Sequence, residues 1–199
     1  MPRLIFLPGV GADPAFWRPV GARLPKHWRK TYLGWPGLAN QPADPMVNAY
    51  ADLQGLVEAE LDDEPADLLA QSMGGAIALR VALNQPNRVR RLVLTATSGG
   101  VDMGALGATD WRADYRRSYP HAPSWITAWR PDMTAHIARI AHPVLLLWGD
   151  ADPISPLAVG ERLRTLLPRA ELHVIAGGDH AFVRDRPDAV AGLIAAHLG

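Results

Sequence analysis

Residues 68–76 read Leu68-Leu69-Ala70-Gln71-Ser72-Met73-Gly74-Gly75-Ala76, and their order decides the fold. An apolar run stops at Gln71-Ser72, glycines follow at once, and small and apolar residues then continue to Leu83. This is a strand, a sharp turn and a helix. A side chain at such a turn is pushed out at the top of a sheet, and the residues two before and two after it must be small. Ala70 and Gly74 meet that need. The general form of this elbow is G-x-S-x-G, with alanine here in place of the first glycine. Ser72 is therefore a candidate nucleophile. The helix behind it starts with free N–H groups that favour negative charge, which places the Met73 N–H to hold an oxyanion. Serine is also a common helix N-cap, and these residues alone leave that alternative open.

Working outward, short apolar runs without polar alternation occupy Leu4–Leu7, Asp67–Ala70, Arg91–Thr97, Pro143–Trp148 and Glu171–Ile175, with a weaker signal at Thr31–Leu33. Helical patterns fill the gaps: Pro14–Leu24 behind an Asp13 N-cap, Pro45–Leu61, Met73–Leu83, Pro156–Leu167 and Pro187–Leu198. Unalternating strands followed by helices imply a parallel sheet covered on both faces, a doubly wound α/β fold. In such sheets chemistry sits at the carboxyl ends of the strands. The chain of 199 residues suits a single domain. Residues 99–141 break the alternation; they carry Trp111, Tyr115, Tyr119, Trp125 and Trp129 among several prolines. They read as an insert over the end of the sheet, a short helical lid.

Three further segments fall where this sheet concentrates its chemistry. Leu7-Pro8-Gly9-Val10-Gly11-Ala12-Asp13 leaves the first strand, and its glycines let backbone come close to a bound group. The Val10 N–H is the candidate second oxyanion donor. Leu147-Trp148-Gly149-Asp150-Ala151-Asp152-Pro153 leaves a buried strand with two carboxylates, and Ala176-Gly177-Gly178-Asp179-His180 leaves the last strand. The chain order is Ser, Asp, His.

With these motifs the whole chain resembles the α/β-hydrolase superfamily in its minimal form, and small bacterial carboxylesterases most nearly. The resemblance identifies Asp152, the aspartate just before the proline, as the acid rather than Asp150, and His180 as the base. Pro8-Gly9-Val10-Gly11 is similar to the family's oxyanion loop, with proline where histidine is common. The resemblance implies hydrolysis of a small ester through an acyl-enzyme, without a cofactor. Serine at position 72 disfavours the dehalogenase and epoxide hydrolase branches, which use aspartate there. The family's antiparallel edge strands are expected to be missing, because the first strand begins almost at Met1. The same machinery also supports thioester, lactone and carbon–carbon bond hydrolysis or perhydrolysis. A non-catalytic ligand-binding protein on the same fold is a third alternative.

Candidate substrate contacts are Gly9 and Gln71 beside the nucleophile, and Trp111, Trp125 and Trp129 in the insert. As a group the insert aromatics suggest an apolar substrate. His121, His136 and His142 lie in or beside the insert, within reach of a pocket there, whereas His173 and His197 read as structural. No spacing motif points to a metal. Cysteine is absent, which excludes thiolate catalysis, disulfides and Cys–zinc sites. A formal net charge of zero and scattered arginines argue against a nucleic-acid partner. No apolar run is long enough to span a bilayer, and the run at Leu4–Leu7 is cut by Pro8-Gly9, so the expected location is the cytoplasm.

Overall fold

The computed structural model describes residues 1–199. Its centre is a sheet of six strands: β1 (Arg3–Leu7), β2 (Arg29–Tyr32), β3 (Ala66–Gln71), β4 (Val89–Thr95), β5 (Val144–Gly149) and β6 (Ala170–Ile175). Every pairing is parallel, in the order β2-β1-β3-β4-β5-β6. This is the α/β-hydrolase fold in a form without antiparallel edge strands. The helices are α1 (Arg18–Gly21), α2 (Tyr50–Ala59), α3 (Met73–Asn84), α4 (Arg112–Ser118), α5 (Trp125–Ala128), α6 (Thr134–Ile137), α7 (Leu157–Leu166), α8 (Phe182–Asp185) and α9 (Pro187–Leu198).

The unalternating strand sequences follow from burial on both sides. Ile5, Leu7, Leu68, Leu92 and Leu146 pack toward α2, α3 and α7, while Leu4, Phe6, Leu69, Val93 and Leu145 pack toward α1, α8 and α9. Both faces exclude water, so no strand position in the centre of the sheet needs a polar residue. Tyr115, Ile126, Met133 and Ile137, from the 99–141 segment, join the α2–α3 side of the core.

Some element boundaries differ from expectation for identifiable reasons. The helix expected from Pro14 to Leu24 is a 3₁₀ turn at Pro14–Trp17 followed by the single turn of α1. Asp13 caps it as expected, accepting from the Ala15 N–H at 2.7 Å. Pro19 has no N–H to continue an α-helical ladder through this point. The helix expected from Pro45 starts at Tyr50, because Asp52 accepts from the N–H groups of both Asn48 and Ala49 and so fixes the start there. The strand β4 stops at Thr95, where Ala96 turns the chain with a φ of 46°.

The sheet order positions the site. The chain runs outward from β1 to β2, then crosses back over β1 to β3 and continues the other way. The connections leaving β1 and β3 therefore diverge, and a crevice opens at their carboxyl ends. The glycine loop after β1 and the Ser72 turn after β3 meet in that crevice.

Candidate active site

Ser72 occupies the turn between β3 and α3 with φ 53° and ψ −122°, a region that non-glycine residues rarely enter. Its backbone N–H donates to the Thr95 carbonyl at 3.0 Å, pinning the turn to the end of β4. Although Ser72 precedes the helix, its side chain makes no capping bond. The capping alternative is thereby removed, and the hydroxyl points elsewhere.

Packing explains the small residues around the turn. A Cβ on Gly74 would stand 2.6 Å from the Pro8 carbonyl oxygen and 2.8 Å from that of Leu7. Both are backbone atoms with little room to give. Gly74→Val should therefore cost about 1–3 kcal/mol, and lower Tm by roughly 3–10 °C in a thermal melt, through overpacking rather than through chemistry.

His180 Nε2 lies 3.0 Å from Ser72 Oγ, and His180 Nδ1 lies 2.8 Å from Asp152 Oδ2. A carboxylate only accepts, so Nδ1 carries the proton and Nε2 is free to accept from the serine hydroxyl. Asp152 is 4% exposed. Its other oxygen accepts from the Ile154 and Ser155 N–H groups at 2.8 and 3.0 Å, which fixes the carboxylate in one orientation. Ser155 is held in turn by its Oγ–H, donated to the Thr97 carbonyl at 3.2 Å. Asp150 is exposed and points away from the imidazole, accepting from the Gly177 N–H at 2.6 Å.

The loops carrying the acid and the histidine are pressed together, backbone on backbone. A Cβ on Gly149 would overlap the Gly178 carbonyl at 2.1 Å, and the Ala151 N–H donates to that same carbonyl at 3.0 Å. Asp150 and the glycines thus set the separation of the two loops, while Asp152 reaches the ring.

The backbone donors named from the sequence border the same place. The Val10 N–H has no acceptor within the protein, and Val10 lines a cavity of about 530 Å³ together with Gly9, Gln71, Ser72 and His180. Met73 begins α3, so no carbonyl of that helix can accept from its N–H. Gly9 lies so close to the turn that a Cβ there would stand 2.9 Å from that of Ser72.

On its other side Ser72 opens into a cavity of about 390 Å³ walled largely by the 99–141 segment, with Trp111 and Trp129 in the wall. Trp125, expected to contact substrate, does not reach either cavity. Its ring packs edge-on against Tyr50 at 5.1 Å, because Tyr50 is already stacked on Trp129 at 3.7 Å and leaves Trp125 behind it. Gln71 lines the 530 Å³ cavity beside Ser72 and also makes a structural bond. Its Nε2 donates to the His180 carbonyl at 3.1 Å, so the amide holds the histidine loop against the nucleophile strand. His121, His136 and His142 lie outside both cavity walls; the His142 ring donates to the Pro86 carbonyl instead.

Tyr50, Arg112 and Arg130 enter the 390 Å³ cavity without having been singled out from the sequence. Tyr50 donates its hydroxyl to the Ile126 carbonyl at 3.0 Å, tying α2 to α5. Burial pushes its phenol well above the ordinary range, and the two arginines pull it partly back. No group of three or more His, Cys, Asp or Glu side chains is arranged to hold a metal ion, and no helix is long and apolar enough to cross a membrane.

Residues 4–193 match the model of the alpha/beta hydrolase family. The chain belongs to that family. A pimeloyl-[acyl-carrier protein] methyl ester esterase of Neisseria meningitidis serogroup C is 29% identical over 96% of this chain and 91% of that protein. A 2-hydroxymuconate semialdehyde hydrolase of Pseudomonas sp. strain CF600 is 30% identical over 87% of this chain and 77% of its own length. Among solved structures, a hydrolase from Pseudomonas aeruginosa PA01 superposes with a TM-score of 0.79 at 22% identity, covering 100% of this chain and 90% of that one. A meta-cleavage product hydrolase from Pseudomonas fluorescens IP01 gives 0.76 at 19% identity over 99% and 90%. At these identities the structural likeness speaks for the fold. This α/β-hydrolase has its conspicuous geometry where the family's fold concentrates chemistry.

Proposed function

We propose that this α/β-hydrolase cleaves the carboxylic ester of a small substrate with an apolar body, through an acyl-enzyme on Ser72. The observation that carries the reading is the unbroken relay from Asp152 through His180 to Ser72, at 2.8 and 3.0 Å, on a strained turn at the carboxyl edge of the sheet.

His180 Nε2 takes the hydroxyl proton as Ser72 Oγ attacks the ester carbonyl. Asp152 keeps the ring in the required tautomer and stabilises the imidazolium. The Val10 and Met73 N–H groups receive the developing oxyanion, each such donor being worth about 3–4 kcal/mol of barrier in related sites. The alcohol leaves with the proton from Nε2. His180 then deprotonates a water that attacks the acyl group, and the free acid departs as Ser72 recovers its hydrogen. The 99–141 segment covers the acyl group as a lid. The enzyme works in the cytoplasm without metal or cofactor.

One specific observation favours a second reading. The relative at 30% identity is named for 2-hydroxymuconate semialdehyde hydrolysis, and the same relay supports carbon–carbon bond cleavage. A panel of short aryl esters, thioesters, lactones and a vinylogous diketone, with Ser72→Ala as the control, separates the two. Ester turnover that vanishes in Ser72→Ala supports the proposal. Turnover of the diketone alone would replace it with the second reading, and turnover that survives in Ser72→Ala would remove both.

A further inference from the structure

Ser72 and His180 border two cavities, and the proton transfers of the mechanism divide the substrate between them. The departing alcohol oxygen takes its proton from His180 Nε2, so the alcohol leaves on the side of the base. His180, Ala181 and Arg184, all from the loop and helix that follow β6, wall the cavity of about 530 Å³, whereas of these only His180 touches the other. The acyl group therefore lies under the 99–141 segment, against Trp111 and Trp129, and the alcohol half lies in the 530 Å³ cavity. That volume falls within the roughly 300–1,000 Å³ of small-molecule sites, far more than a methyl or ethyl group needs.

The wall of the larger cavity is built for neutral hydrogen bonding. Three amide side chains, Asn40, Gln41 and Gln71, stand in it. Gln71 Nε2 is committed to the His180 carbonyl at 3.1 Å, which turns Oε1 away from that bond. Oε1 receives no donor from the protein, and the buried side-chain atoms without a partner lie only on Arg112 and His142, so this oxygen is open to the cavity. The Asn40 and Gln41 amides hydrogen-bond to no other residue, and neither does the Tyr119 hydroxyl in the same wall. Amides and a phenol together offer donors and acceptors, the pairing that alcohol hydroxyls require. Phe16 and Tyr119 add ring surface for a carbon skeleton to pack on. Apart from His180, the charged residues of the wall are Asp13 and Arg184. Arg184 gives Nε and Nη2 to the two oxygens of Asp185 at 2.7 and 3.0 Å, and Asp13 accepts from the Ala15 N–H at 2.7 Å. No free cation is left for an anionic group.

We infer that the alcohol half of the substrate is an uncharged polyol of about one sugar ring, held in the 530 Å³ cavity by the amides of Asn40 and Gln41 and by Gln71 Oε1. Which half of the ester this is rests on the ester-hydrolase reading above. Methyl 6-O-butanoyl-glucoside tests it against cyclohexylmethyl butanoate, which has the same acyl group, ring size and primary ester link but no hydroxyls. The wild type should favour the glucoside by about tenfold or more in kcat/KM, mainly through KM, because hydroxyls gain partners and the cyclohexyl ring leaves the amides unpaired. Replacing both Asn40→Ala and Gln41→Ala should bring that ratio close to one. The ratio cancels any general loss of folded enzyme. A second arm needs no turnover: Ser72→Ala, titrated calorimetrically, should bind the glucoside about tenfold more tightly than the cyclohexylmethyl ester. Equal binding of the two, or a ratio unchanged by the double replacement, overturns the polyol site even if simple esters are hydrolysed well. Preference for butanoylcholine over the glucoside overturns it as well, in favour of a cationic alcohol facing Asp13. If no ester is turned over but Ser72→Ala still prefers the glucoside in a way that depends on Asn40 and Gln41, the hydrolase reading fails and the site stands.

Discussion

Ser72→Ala is expected to lower kcat by a factor on the order of 10⁴ to 10⁶, the scale seen when a nucleophile is removed from a comparable relay. The melting temperature should stay within about 2 °C of wild type, because the hydroxyl makes one hydrogen bond and the methyl group keeps the backbone as it is. Ser72→Gly gives a more pointed version. The φ of 53° and ψ of −122° belong to glycine territory, and a side chain there stores about 1–3 kcal/mol of strain. Glycine relieves it, so Ser72→Gly should be as inactive as Ser72→Ala and melt roughly 2–6 °C above wild type. A residue that raises stability when removed and abolishes turnover is one kept for its chemistry. An inactive Ser72→Gly that melted well below wild type would mean that the turn serves the fold.

Asp152→Asn should cost about 10⁴ in kcat with the fold intact. The asparagine oxygen can still accept from the Ile154 and Ser155 N–H groups, so the loop keeps its shape. Its amide, however, presents N–H to His180 Nδ1, which forces the proton onto Nε2 and leaves nothing to accept from Ser72. Asp150→Asn is the matched comparison. It weakens one bond to the Gly177 N–H and leaves the imidazole untouched, so kcat should fall by less than about tenfold. Steady-state kinetics on both variants, with circular dichroism to verify folding, decide between the two aspartates. Equal losses would mean that the acid acts only by holding the loop.

The parts of this structure that local chemistry determines were legible in the sequence. Leu68-Leu69-Ala70 could be read as a strand because burial on both faces removes polar alternation, and the small residues at Ala70 and Gly74 announced a crowded turn. Sheet topology places the loops that carry Val10, Asp152 and His180 at one edge, while the choice of Asp152 over Asp150 came from the family resemblance. Contacts between distant segments were not legible. Tyr50 reaches the cavity only by stacking on Trp129. That same stacking displaces Trp125, which an aromatic count could not distinguish from its neighbours. Gln71 flanks Ser72 and lines the cavity beside it, and nothing in its neighbours announced that its amide also bonds a carbonyl on a loop 109 residues away. The segment between β4 and β5 resisted reading because its helices are too short to show a period, with α5 and α6 having four residues each.

The central claim is that Ser72 is a nucleophile activated by His180. A fluorophosphonate probe tests it directly, since it reacts with an activated serine hydroxyl without needing the natural substrate. After incubation at neutral pH, intact mass should rise by one adduct, peptide mapping should place it on Ser72, and Ser72→Ala and His180→Ala should stay unmodified. Folded wild-type protein that takes up no adduct, or takes it up on another residue, would contradict the account.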